Sequence, residues 1–112
     1  MDIKIKESGD VTIIDFIGRL DTATSPAAES EINKILERGC NRVLINLKGL
    51  EWVSSSGLRV LLVTAKKLSV IKGKLRICEP NEVVNEILEI SGFSSILNVR
   101  VSAAEALSEL QF

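Results

Sequence analysis

The chain has 112 residues, 46% hydrophobic and 26% charged, with 14 basic and 15 acidic side chains and a net charge of −1. A chain of that length forms one domain, residues 1–112, large enough to bury a core of its own. The balanced charge gives no footing for nucleic acid or an anionic membrane. Histidine and tyrosine are absent, which removes the commonest general base and leaves poor material for a metal site.

Residues 3–7, "IKIKE", alternate in the manner of a half-buried strand, and "ESGD" follows as a turn. No apolar signal segment stands at the N-terminus and no stretch approaches the about 20 apolar residues of a membrane span. A cytoplasmic protein without membrane insertion is therefore expected, with Cys40 and Cys78 as free thiols. "VTIIDFIG" (11–18) reads as a second, more central strand, forming a hairpin with the first. "RLDTAT" leads into a helix over 25–39, where Ser25 before Pro26 is a capping signal and Gly39 a stop. "RVLINL" (42–47) is a short, fully apolar strand of the type buried in a parallel sheet.

"KGLEWVSSS" reads as a loop, with Trp52 expected to pack inside, and a second helix follows in "GLRVLLVTAKKLSVIKG". "KLRICE" (74–79) is a strand, Pro80-Asn81 break the chain, and "EVVNEILEIS" (82–91) is a third helix. "ILNVRV" (96–101) reads as a last strand and "SAAEALSEL" (102–110) as a last helix capped by Ser102. The order predicts an α/β fold: a mixed, mostly parallel sheet with an antiparallel N-terminal edge strand and about four α-helices. In such a sheet "RLDTAT", "WVSSSGL" and "CEPNE" meet at the C-terminal strand ends, where ligand and partner sites gather.

The run Ser54-Ser55-Ser56 thus stands at the mouth of a strand and the start of a helix. One serine is accounted for as a helix cap, Ser55 or Ser56, with Gly57 required by a tight turn; three are not. A nucleophile elbow centred on Ser55 needs glycine where Val53 stands, and the usual histidine base is missing. A Walker loop is absent, since "KGK" at 72–74 lacks the upstream glycine and the following hydroxyl. A third reading is modification: a phosphoserine at a helix N-terminus is tolerated by the helix dipole, yet it repels or must be desolvated by a partner docked there.

The motifs "GRLDTATS", "RVLINLKGLEWVSSSGLRVLL" and "EISGFSSILNV" followed by "AAEAL", in this order, resemble the STAS domain of bacterial anti-sigma factor antagonists over nearly the whole chain. The resemblance implies a sheet flanked by helices, no cofactor, and partner switching. The unphosphorylated antagonist binds an anti-sigma factor that is also a serine kinase; phosphorylation breaks the complex, and a PP2C-type phosphatase restores it. It places the phosphoacceptor at Ser55, after a D-S-[ST]-G-type pattern in which Ser54 replaces the aspartate, with Ser54 and Ser56 as rivals. It also implies a partner-binding surface of Asp21, Thr22, Ser54, Ser56, Gly57, Leu58 and Arg59.

Arg59, Lys66 and Lys67 read as a solvated face of the second helix, and Glu82, Glu86 and Glu89 as an acidic stripe on the third. Two alternatives accompany the antagonist reading. One is a STAS adaptor subunit of a transporter or sensor complex that is never phosphorylated, a reading favoured by the serine at position 54. The other, disfavoured by the absence of histidine, is a small enzyme with Ser55 as nucleophile.

Overall fold

The N-terminal alternation of apolar and charged residues forms an edge strand, β1 (Asp2–Ser8), antiparallel to β2 (Val11–Leu20) with Ile5 opposite Ile14. The computed structural model describes residues 1–111. After β2 come α1 (Ser25–Glu37), β3 (Arg42–Asn46), β4 (Leu50–Val53), α2 (Ser55–Val70), β5 (Lys74–Cys78), α3 (Glu82–Ile90), α4 (Ser94–Leu97), β6 (Val99–Arg100) and α5 (Ala103–Leu110). The sheet order is β1-β2-β3-β5-β6, and every pairing except β1–β2 is parallel. The expected mixed sheet with an antiparallel edge is therefore present.

Three expectations about individual elements are corrected. Part of "KGLEWVSSS" is a strand: β3 pairs with the first half of β2 through Thr12–Asp15, and β4 takes over with Leu50 opposite Gly18 and Val53 opposite Leu20. The interrupting residues 47–49 contain a glycine and pass close to Ile17, so the apolar periodicity is broken although the pairing resumes. "ILNVRV" is not one strand. Its β-branched residues suggested one, but Leu97 is fully buried from a single helical turn, and Asn98, left-handed at φ 53°, redirects the chain into the two-residue β6. The helices consequently number five among the described residues. Finally, Ser25 is not the cap of α1: Thr24 takes that position without a side-chain cap bond, and the Ser25 hydroxyl instead donates to the Asp21 carbonyl at 2.5 Å.

One sheet face carries the main core. Ile14, Phe16, Val43, Ile45, Leu75 and Ile77 from the strands meet Ile32, Ile35, Leu61 and Leu68 from α1 and α2. The opposite face is covered by α5, where Ala106 and Leu110 pack on Val11, Leu44 and Cys78. Cys78 and Cys40 belong to these different faces and both are free thiols. Burial pushes the Cys78 thiol up to about 12, helped by the Glu79 and Asp15 carboxylates, so it stays protonated and inert near neutral pH. No helix among the described residues is long and apolar enough to cross a membrane, and no cluster of three His, Cys, Asp or Glu side chains is disposed to hold a metal ion.

Helix α5 is short, and its position is reinforced by Glu109, which accepts from Arg76 Nε at 2.5 Å and from Arg100 Nε at 2.9 Å. The Arg100 hydrogen bond, followed by that from Arg76, holds the Glu109 carboxyl below the usual glutamate range. A depressed folded-state value means that the stabilisation is present above the unfolded-state value and is lost as pH falls through the folded-state one. Replacing Glu109→Gln is expected to lower the urea midpoint at pH 7. The difference from the parent should close as pH drops below the ordinary glutamate range, and a midpoint series against pH measures it.

Candidate functional site

Three segments converge at the C-terminal ends of the parallel strands, as the topology requires. The Ser54 N–H donates to the Leu20 carbonyl at 2.9 Å, which ties the serine loop to the end of β2. Thr22 and Ser56 share a hydroxyl–hydroxyl bond of 3.2 Å. Asn81, from "CEPNE", donates Nδ2 to the Leu50 carbonyl at 3.0 Å while its Oδ1 accepts the Val84 N–H at 2.7 Å. One side chain therefore caps α3 and fastens it to β4. Sequence reading had Asn81 only as a chain break; an asparagine just before a helix signals a cap, but nothing local signals its second bond across 31 residues.

The three serines have separate tasks. Ser54, extended at φ −91° and ψ 176°, is the N-cap of α2, and its hydroxyl accepts the Gly57 N–H at 3.3 Å. The expected cap, Ser55 or Ser56, is thereby corrected by one or two positions: the helix begins earlier because Ser54 is already held at the strand end. Ser56, half-buried, spends its hydroxyl on Thr22. Ser55 is the first helical residue, is exposed, and its hydroxyl has no hydrogen-bond partner among the described residues. The site also presents no base bonded to Ser55. Nearby backbone N–H groups at the start of α2 lack intrahelical acceptors, so the surroundings of Ser55 favour negative charge.

Gly57 and Leu58 are buried at the start of α2. Leu58 is in the main core. A Cβ on Gly57 would stand 2.6 Å from the Leu20 carbonyl oxygen and 2.8 Å from Val53 Cγ2. The glycine is thus a point of close contact between the helix and the strand ends. Arg59 is exposed one turn after Ser55 and lines a groove between α1 and α2 together with Thr22, Ser25 and Ser56.

Asp21 forms its own loop: Oδ1 accepts the Ala23 N–H at 3.0 Å and the Thr24 N–H at 3.1 Å. The Thr24 N–H, then the Thr24 hydroxyl and the Ala23 N–H, hold this carboxyl below the usual aspartate range. Trp52 is corrected from an interior to a surface residue. It is 39% exposed, because in β4 the inward positions are taken by Leu50 and Val53.

Three substitutions probe this arrangement. Gly57→Ala is expected to destabilise the domain by about 1–3 kcal/mol, since backbone lies in the way of the methyl group. Ser54→Ala removes the cap and is expected to cost about 1 kcal/mol, whereas Ser54→Asp retains it, aspartate being an equally good cap. Chemical denaturation of the three variants reads both effects.

The likenesses of the chain to known proteins agree with this geometry. The model of the STAS domain matches residues 2–106. BtrV of Bordetella bronchiseptica is 40% identical over 92 residues, covering 80% of this chain and 79% of BtrV. The anti-sigma F factor antagonist of Paenibacillus polymyxa is 29% identical over 112 residues, 99% of this chain and 96% of that protein. Among solved structures, the anti-sigma factor antagonist SpoIIAA superposes in its unphosphorylated form with a TM-score of 0.83 at 18% identity, covering 98% of this chain and 96% of that one. The phosphorylated form of SpoIIAA, described as a Bacillus cell fate determinant, gives 0.74 at 17% identity over 96% and 98%. The two SpoIIAA structures share the fold, the family model spans nearly all of the chain, and this protein belongs to the STAS domain family alongside anti-sigma factor antagonists.

Proposed function

We propose that this protein is an anti-sigma factor antagonist switched by phosphorylation of Ser55. In this scheme the unphosphorylated chain binds an anti-sigma factor that is also a serine kinase, and so releases a sigma factor. The observation that carries the reading is the division of labour in the serine loop. Ser54 is occupied as a cap and Ser56 by Thr22, which leaves Ser55 as the exposed, unengaged hydroxyl. The serine at position 54, where the family pattern has aspartate, supports rather than weakens the loop, because both residues cap a helix through a side-chain oxygen.

The phosphate's effect is confined to the surface. On the first residue of α2 it adds about −1.5 to −2 charges at pH 7 beside the positive end of the helix dipole, so the fold is retained. A partner covering the same end, through Thr22, Arg59 and the Ser54–Ser56 loop, must then desolvate that charge or repel it. This costs several kcal/mol, and each ~1.4 kcal/mol is tenfold in affinity. A phosphatase of the PP2C type returns the antagonist to its binding state. That SpoIIAA exists in a phosphorylated form is consistent with the scheme.

The test is peptide mass spectrometry of the chain purified from its native cells, before and after treatment with a PP2C-type phosphatase. A single removable phosphate on Ser55 is expected. Ser55→Asp should weaken binding to the co-purified partner by about 100-fold or more while the thermal midpoint stays close to that of the parent. A phosphate on Ser54 would move the acceptor by one residue. A stable partner with no phosphate under several growth conditions would replace the switch with the constitutive adaptor, the reading that the missing aspartate favours.

A further inference from the structure

Two surfaces remote from Ser55 complement each other. Residues 65–76 contain Lys66, Lys67, Lys72, Lys74 and Arg76 and no acidic residue, whereas residues 79–99 contain Glu79, Glu82, Glu86 and Glu89 and no lysine or arginine. Folding turns this segregation into two shaped surfaces. The second half of α2, the start of β5 and α4 enclose a groove with Leu62, Ala65, Leu75 and Ile96 along its length and Lys66 and Lys72 at its rim. Ile96 is 53% exposed there.

Helix α3 carries the opposite pattern. Val84 and Leu88 anchor it to the core, Ile87 packs partly against that core, and its outward side presents Val83 and Ile90 beside Glu82, Glu86 and Glu89. Val83 is 51% and Ile90 78% exposed. Glu82, Glu86 and Glu89 recur at i, i+4, i+7, and Val83, Ile87 and Ile90 repeat that spacing one residue on, so an acidic stripe runs beside a partly exposed apolar one. Ion pairs among the described residues include Lys6–Asp15, Glu31–Lys34, and Glu109 with Arg76 and Arg100. Lys66, Lys72 and the three α3 glutamates have no ionic partner among the described residues.

We infer that the chain associates with itself, α3 of one copy lying in the lysine-rimmed groove of a second. Apolar side chains then meet apolar side chains and glutamates meet lysines. The lengths also match: the nine residues of α3 and the nine residues 62–70 of α2 each span about 13 Å. The surface is small, below the class of stable obligate interfaces, so the association is weak and reversible. It occupies the C-terminal half of α2 and leaves Ser55, at the other end of that helix, accessible.

Sedimentation velocity at rising protein concentration tests this. At low salt the average mass should rise above the 12.2 kDa of one chain, and it should return towards that value in about 0.5 M salt, where surface charges are screened within a few ångströms. Lys66→Glu with Lys72→Glu, and separately Glu86→Lys with Glu89→Lys, should each sediment as monomers with unchanged circular dichroism. An equimolar mixture of the two double variants restores opposite charges across the contact and should associate again. Monomeric behaviour of the parent at all concentrations overturns the inference. So does self-association that neither double variant disturbs, or failure of the mixture to associate. Binding of an acidic peptide or anionic vesicles by a parent that remains monomeric would likewise overturn it and give the groove another occupant.

Discussion

The packing of α2 onto the ends of β2 and β4 through Gly57 is the contact on which the functional end of this domain depends. With hydrogen in place of a methyl group, the first turn of the helix can approach the Leu20 carbonyl and the Val53 side chain directly. That proximity lets Ser54 donate its N–H to Leu20 and cap the helix with its hydroxyl at the same time. Once Ser54 is fixed, the helical turn determines the directions of the next two residues: Ser55 outward, Ser56 towards Thr22. The exposure of a single free hydroxyl is thus a consequence of backbone contact below it.

The same helix divides the molecule into two regions with different chemistry. Its first turn has unpaired N–H groups, the positive end of its dipole and the exposed hydroxyl of Ser55, an environment suited to an added anion. Its last turns carry fixed lysines beside the strand that begins at Lys74, and the groove there takes its apolar lining mainly from α2, with Leu75 of β5 and Ile96 of α4. The two regions are joined by a rigid, well-buried segment that includes Val60, Leu61, Thr64 and Leu68. A charge added at Ser55 has no need to change this segment in order to change what docks above it. Thr64 illustrates how the segment absorbs polarity: buried at 1% exposure, it returns its hydroxyl to the Val60 carbonyl at 2.8 Å.

Helix α5 has a supporting role that contrasts with that of α2. It covers the second sheet face with small and apolar residues and is tied at one side by Glu109 between two arginines on neighbouring parallel strands, β5 and β6. The Glu79 carboxylate, on a residue at φ 55°, accepts the Ala103 N–H at the other end. Charged groups here are spent internally on holding a short helix, whereas the glutamates of α3 and Lys66 of α2 remain turned to solvent.

Much of this was legible in the linear chain. Alternating strands and helices fixed the parallel sheet, because apolar runs of four to eight residues separated by amphipathic helices have few other ways to be buried. That topology in turn placed "RLDTAT", the serine run and "CEPNE" at one edge, and the glycine after the serines marked a turn. What the chain did not disclose was decided by contacts between distant residues. The cap fell to Ser54 because β2 offers it a carbonyl, Trp52 lies at the surface because Leu50 and Val53 hold the inward positions of β4, and the start of "ILNVRV" turns helical so that Leu97 can reach the core. Local sequence states which residues prefer burial or a turn. Only tertiary structure decides which hydroxyl, out of three adjacent and chemically identical ones, is left without a partner.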